Sequence, residues 1–112
     1  MTRGISIDAT DFSAYNDRGN SYLNLGEYNL ALEDFNKSIE LRKDYFFTYH
    51  NRGICFQKLG HYDMALADFN KAVEFGKRGI DYYYRGLCYK AIGDDKKAQA
   101  DLDKAKELGY EE

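Results

Sequence analysis

The stretch Tyr49–Gly60, YHNRGICFQKLG, decides how the rest of the chain is read. Its apolar residues recur at helical spacing, which argues for a half-buried helix. Yet Arg52 stands beside Gly53, close to where the buried face should run. The same stretch occurs twice more, as YNDRGNSYLNLG at Tyr15–Gly26 and as YYYRGLCYKAIG at Tyr82–Gly93. The alignment continues without gaps from Tyr15 to Leu41, Tyr49 to Phe75 and Tyr82 to Leu108. Gly19, Gly53 and Gly86 correspond at steps of 34 and 33 residues, and so do Gly26, Gly60 and Gly93. From about Phe12 onward the chain is three copies of one unit, a period that belongs to repeat architectures.

Each unit reads as two helices. In the first, Tyr15, Gly19, Tyr22 and Leu25 keep one face. After the glycine, Tyr28, Ala31, Leu32, Phe35, Ile39 and Leu41 form a second stripe, repeated as Tyr62, Ala65, Leu66, Phe69, Val73 and Phe75. Gly26 between them suits a helix end that needs positive φ. The spacing predicts helices near 12–25, 28–41, 45–59, 62–75, 79–92 and 95–108, with Asp44 as N-cap of the third. Residues 1–11 read as an N-terminal extension. Residues 12–112 read as a single domain of repeats at about 12–45, 46–78 and 79–112.

The position of Arg52 follows from the hairpin. Arg52 lies eight residues before Gly60 and Asp68 eight after it. At 1.5 Å per residue both sit about 12 Å from the turn, on neighbouring antiparallel helices. Arg18 and Asp34 bracket Gly26 in the same way, and Arg85 and Asp101 bracket Gly93. Three arginines each face an aspartate 16 residues later. The expected role is an ion pair pinning each hairpin. The alternative, an arginine open to a ligand carboxylate, is disfavoured because a matched aspartate already occupies it.

Composition bounds the function. The 112 residues are 44% apolar and carry a net charge of -3, which argues against broad nucleic-acid binding through a basic field. No apolar run approaches the ~20 residues of a membrane span. The start, MTRGISIDATD, has no apolar core of signal-peptide length, so a cytoplasmic protein is expected. Cys55 and Cys88 are 33 residues apart with only two histidines in the chain. Buried core thiols are the preferred reading over a disulfide or a metal site. No cofactor is expected. His50 and His61 lack a nucleophile–acid partner pattern, so catalysis is not expected either, and His61 reads as a turn residue.

At these residues the chain resembles the tetratricopeptide repeat family, whose unit is a helix-turn-helix with small and aromatic residues at fixed offsets. Gly19, Tyr22, Ala31 and Phe35 match in unit one, Gly53, Phe56, Ala65 and Phe69 in unit two, and Gly86, Tyr89 and Ala98 in unit three. Leu102 replaces the last aromatic. Tyr15, Tyr49 and Tyr82 stand where the family often has Trp, and arginine replaces its usual leucine before the glycine. Lys43 and Lys77 replace its closing proline. The resemblance implies an all-α, right-handed α-solenoid of three hairpins whose first helices line a concave groove.

By that resemblance the groove presents Asn16 and Asn20 from unit one. Unit two supplies Phe47, His50, Asn51, Ile54 and Lys58, and unit three supplies Tyr83, Tyr84, Leu87 and Lys90. The expected function is a protein-interaction module, an adaptor or scaffold holding a peptide or helix with apolar anchors and an acidic group. The alternative is a structural protein that assembles with itself through its terminal helices, so a monomer or weak homo-oligomer is expected. Co-chaperones of the family grip a chaperone's carboxylate tail with two asparagines and three basic residues. Asn20 and Asn51 match the asparagines, but the basic positions fall on Asn16, Ile80 and Tyr84, so tight binding of such a tail is not expected. Finally, Leu30, Leu32 and Ile39 of unit one become Lys97, Gln99 and Lys106 in unit three. This polar face is expected where stacking stops. The closing GYEE leaves no room for the solvating helix other members add, so an exposed tyrosine is expected there.

Overall fold

The computed structural model describes residues 7–110. Most of the expected N-terminal extension and the last two residues lie outside them. Six helices follow in order: α1 (Phe12–Asn24), α2 (Tyr28–Leu41), α3 (Phe46–Lys58), α4 (Tyr62–Gly76), α5 (Gly79–Ala91) and α6 (Asp95–Glu107). No strand occurs among the described residues. Each odd helix pairs with the next as a hairpin, α2 packs on α3 and α4 on α5, and α1, α3 and α5 lie side by side. The stack is elongated, 46 × 24 × 22 Å.

Glycine makes the hairpin turns. Gly26, Gly60 and Gly93 have φ of 80°, 80° and 91°. At the first turn Glu27 N–H donates to the Tyr22 carbonyl at 2.9 Å and Gly26 N–H to that of Leu23 at 3.0 Å. This pattern satisfies the last carbonyls of a helix when the residue after it is left-handed. The connection from α4 to α5 takes the same left-handed step without glycine, at Lys77, φ 54°. The third helix starts one residue later than expected, with Tyr45 as its N-cap and no side-chain bond. Asp44 is not the cap, because its carboxylate accepts from Arg42 Nε at 2.7 Å. The side-chain caps are Asp11, which accepts from Ala14 N–H, and Asp94, which accepts from Lys97 N–H.

The core runs along the stack. Tyr22, Leu23, Ala31, Phe35 and Cys55 form one buried cluster, and Phe56, Ala65, Phe69 and Cys88 a second. Leu32 and Ile54 pack against both, joining unit one to unit two. The two cysteines are fully buried and unpaired. Burial pushes both thiols up to about 11. Gly53 sets the helix separation in the middle hairpin: a Cβ there would lie 2.8 Å from the Phe69 ring.

Each arginine meets its aspartate with two parallel bonds. Arg18 donates to Asp34 at 2.7 and 2.8 Å, Arg52 to Asp68 at 2.9 and 2.8 Å, and Arg85 to Asp101 at 2.8 and 2.8 Å. All three aspartates are buried. Burial works against the Arg52 charge, but the bonds and charge of Asp68 hold the guanidinium above its ordinary value. Burial in turn pushes the Asp68 carboxyl up against the pull of Arg52. Desolvation thus offsets much of the attraction, and the pair fixes geometry more than it adds stability. The third guanidinium nitrogen ties neighbouring units. Arg52 Nη1 donates to Asn36 of the preceding unit at 2.8 Å, and Arg85 Nη1 to Asn70 at 3.1 Å.

A second polar junction joins the first two units. Ser38 Oγ donates to the Phe12 carbonyl and lies 2.9 Å from Thr48 Oγ1, with both Ser38 and Thr48 fully buried. On α6, Ala98, Asp101 and Ala105 are buried while Lys97, Gln99 and Lys106 are exposed. The closing tyrosine is not the exposed residue expected. Gly109 (φ 92°) turns the chain back, and Tyr110 packs half-buried on Tyr83 with ring centres 5.0 Å apart.

Three expectations follow. Asp68→Ala is expected to cost about 3 kcal/mol in chemical denaturation, because it strands a partly buried guanidinium; the apolar double variant Arg52→Met, Asp68→Leu should lose less. Lys77→Gly should raise stability by up to about 1 kcal/mol, by relieving a left-handed residue. Cys55 and Cys88 should resist a thiol reagent at pH 8 in the native protein and react at once in denaturant, whereas rapid native labelling would contradict their burial.

Candidate ligand-binding groove

The face made by α1, α3 and α5 carries the groove residues, but they divide into two groups. Asn16 is buried and its Oδ1 accepts from Asn51 Nδ2 at 3.0 Å, a bridge between units one and two. His50 is 9% exposed, and its Nδ1 lies 2.7 Å from an oxygen of Asp81, which is fully buried. Asp81 also accepts from Arg78 Nε at 3.0 Å. Tyr84 is half-buried, stacks on Phe69 with ring centres 5.9 Å apart and meets His50 edge-on. These residues hold one unit on the next.

The second group is at least partly open to solvent, although Ile54 also packs against both core clusters. Lys58 and Lys90 are exposed, and Asn20, Ile54 and Leu87 are half-buried. Phe47 is 40% exposed and lies beneath the Arg78 guanidinium, 4.7 Å from its ring centre. That guanidinium also sits 4.7 Å from the ring of Phe46. Tyr83 is half-buried under Tyr110. The face therefore offers two aliphatic side chains and amides on its floor, lysines toward the hairpin turns and an aromatic pair at its other end.

Asp81 and Arg78 were not legible as functional residues. A charge pattern at i and i+3 on a helix start reads as a solvated pair, and only the approach of His50 from α3 shows that it is a buried junction. Met64 and Ile92 were missed as well. They are 52% and 47% exposed and, with Gly60, His61, Tyr62 and Asp63, line an open cleft of about 420 Å³ on the turn edge, away from the groove. Among the described residues no group of three His, Cys, Asp or Glu side chains converges as a metal site. None of the described helices is long and apolar enough to cross a membrane.

Comparison with known proteins agrees with the fold. Two family models described as tetratricopeptide repeat match, one over residues 10–78 and the other over 82–108. No curated protein gives a significant sequence match. Among solved structures, MamA superposes with a TM-score of 0.86 at 24% identity, over 90% of this chain and 60% of its own. The chain thus spans somewhat under two thirds of that protein's length. The first tetratricopeptide domain of Spaghetti (RPAP3), solved with the HSP90 peptide SRMEEVD, also gives 0.86 at 24% identity, over 95% of this chain and 85% of its own. The Arabidopsis OM64 tetratricopeptide domain gives 0.86 at 24% identity, over 90% and 84%. At such identities the likeness speaks to the fold. With family models covering most of its length and three hairpins in phase, the chain belongs to the tetratricopeptide repeat family.

Proposed function

We propose that this protein is an adaptor or scaffold that takes a segment of a partner protein along the α1–α3–α5 face. One observation carries the reading. The arginines of the first helices are turned away from that face and neutralised on the second helices, Arg18 by Asp34, Arg52 by Asp68 and Arg85 by Asp101, while Arg78 is neutralised by Asp81. What remains at least partly open to solvent is Leu87, the outer part of Ile54 whose other side packs on the core, the amide of Asn20, and the exposed ammonium groups of Lys58 and Lys90. Amides bond a peptide backbone through donor and acceptor alike. Aliphatic side chains hold apolar anchors, and the lysines favour a carboxylate beside them. The ligand is therefore an apolar peptide or helix with an acidic group near the hairpin turns. Solved relatives of this fold that hold a peptide of a partner protein support an interaction role.

Peptide-library selection against the purified protein tests this, with Leu87→Glu and Lys90→Glu chosen because neither carries an inter-unit hydrogen bond. Selected peptides should share apolar anchors and an acid, and both variants should lose at least about tenfold in affinity, a difference of ~1.4 kcal/mol, with the unfolding midpoint unchanged. Full affinity in both variants would remove the groove as the contact surface. The peptide SRMEEVD should not bind at micromolar concentration, because Asn16, Ile80 and Tyr84 supply no cation for its carboxylates. Micromolar binding in calorimetry would overturn that.

A further inference from the structure

The contacts between successive units define what a further unit must offer. At both junctions an arginine Nη1 of the following unit donates to the residue at one fixed position of the preceding second helix, Asn36 for Arg52 and Asn70 for Arg85. In α6 the corresponding position is Asp103, which is exposed, accepts from Gln99 Nε2 at 2.9 Å through one oxygen and keeps the other oxygen for a further donor. In α1 the corresponding arginine is Arg18, whose Nε and Nη2 hold Asp34 as Arg52 and Arg85 hold their own aspartates. The two ends of the stack therefore carry the two halves of the bond that recurs inside it, here with opposite full charges. A second correspondence agrees. Leu32 of α2 and Ile54 of α3 pack in shared clusters at the first junction. Their counterparts at the ends are Gln99, exposed on α6, and Asn20, half-buried on α1. Two apolar partners have become two amides: the Gln99 nitrogen donates to Asp103, which leaves its oxygen to accept from the Asn20 amide. A third follows the same rule. Cys55 Sγ donates to the Tyr28 carbonyl at 3.6 Å, and the end positions are Ser21, a better donor, and Asp95.

We infer that copies of this protein associate head to tail, the α1 face of one on the α6 face of the next, with Arg18 of one copy bonded to Asp103 of the other. The substitutions that make each end face polar also make the two faces complementary. The contact is heterologous and repeats the internal stacking step along the long axis of the solenoid, so it extends into short linear chains. It lacks the apolar pairs of the internal junctions. It is therefore weak, and salt screens it because its arginine–aspartate bond lies near solvent.

Sedimentation velocity from micromolar to millimolar protein, at about 50 mM and about 500 mM salt, tests the inference. The weight-average mass should climb past that of a dimer at low salt and fall toward the monomer at high salt. Asp103→Arg places like charges at the junction and should stay monomeric when pure, with an unchanged helical spectrum, since Asp103 lies on the exposed face of α6. Its α1 face is intact, so it should still dock on wild-type tails and end their growth. Added in equal amount, it should lower the mass of the wild-type chains below that given by the same amount of an inert protein. Three results would overturn the inference: a monomer at every concentration in low salt, a dimer that never grows, or an Asp103→Arg variant that assembles like the wild type.

Discussion

A guanidinium held between two antiparallel helices is the constraint on which the stack depends. It enters each hairpin beside a glycine, at the point where the helices approach most closely, and its planar fork matches a carboxylate on the facing helix. Arg52 shows the full arrangement: two bonds to Asp68 within its unit and one to Asn36 in the unit before. A leucine at that position could fill the same space. It could not fix the rotation of one helix about the other, nor reach an amide in the next unit. The pair's own electrostatics agree with that division of labour. Burial raises the Asp68 carboxyl despite the arginine beside it, so the bond is directional more than it is stabilising.

The neutralised arginines also shape the binding face. A repeat protein with an arginine in each first helix and Arg78 at the start of α5 would read by composition as an anion receptor. Their pairing with buried carboxylates leaves the lysines as the cations that a ligand can meet. On the proposed reading, recognition then rests on apolar contact with a modest acidic preference. The junctions behind that face are polar where they could have been apolar: His50 with Asp81, Asn16 with Asn51, Ser38 with Thr48. Each pair is satisfied, and a slip of one unit against the next would break it.

Much of this was legible in the residues. Repeat phase, the hairpin turns at Gly26, Gly60 and Gly93, and the arginine–aspartate facing all follow from counting along the chain, because a hairpin converts equal distance from a turn into contact. Helix bounds followed to within one residue. What was not legible are contacts between units, where counting gives no partner. Asn36, Asn70 and Asp81 look like surface residues on their own helices, and only the neighbouring unit makes them junctions. For the same reason His50 and Asn16 look like groove residues, since the helix that covers each of them belongs to another repeat. Asp44 failed as a cap because Arg42, two residues away, competes for its carboxylate.

Nitrogen-detected NMR of the arginine side chains tests the central claim most directly. Arg18, Arg52 and Arg85 should each give a distinct Nε–H signal that exchanges slowly with water at neutral pH, because each Nε donates to a buried carboxylate. Arg42, whose bond to Asp44 is exposed, should exchange quickly and supply the internal contrast. Three signals that exchange as fast as that of Arg42 would show the guanidinium groups open to solvent and contradict the account.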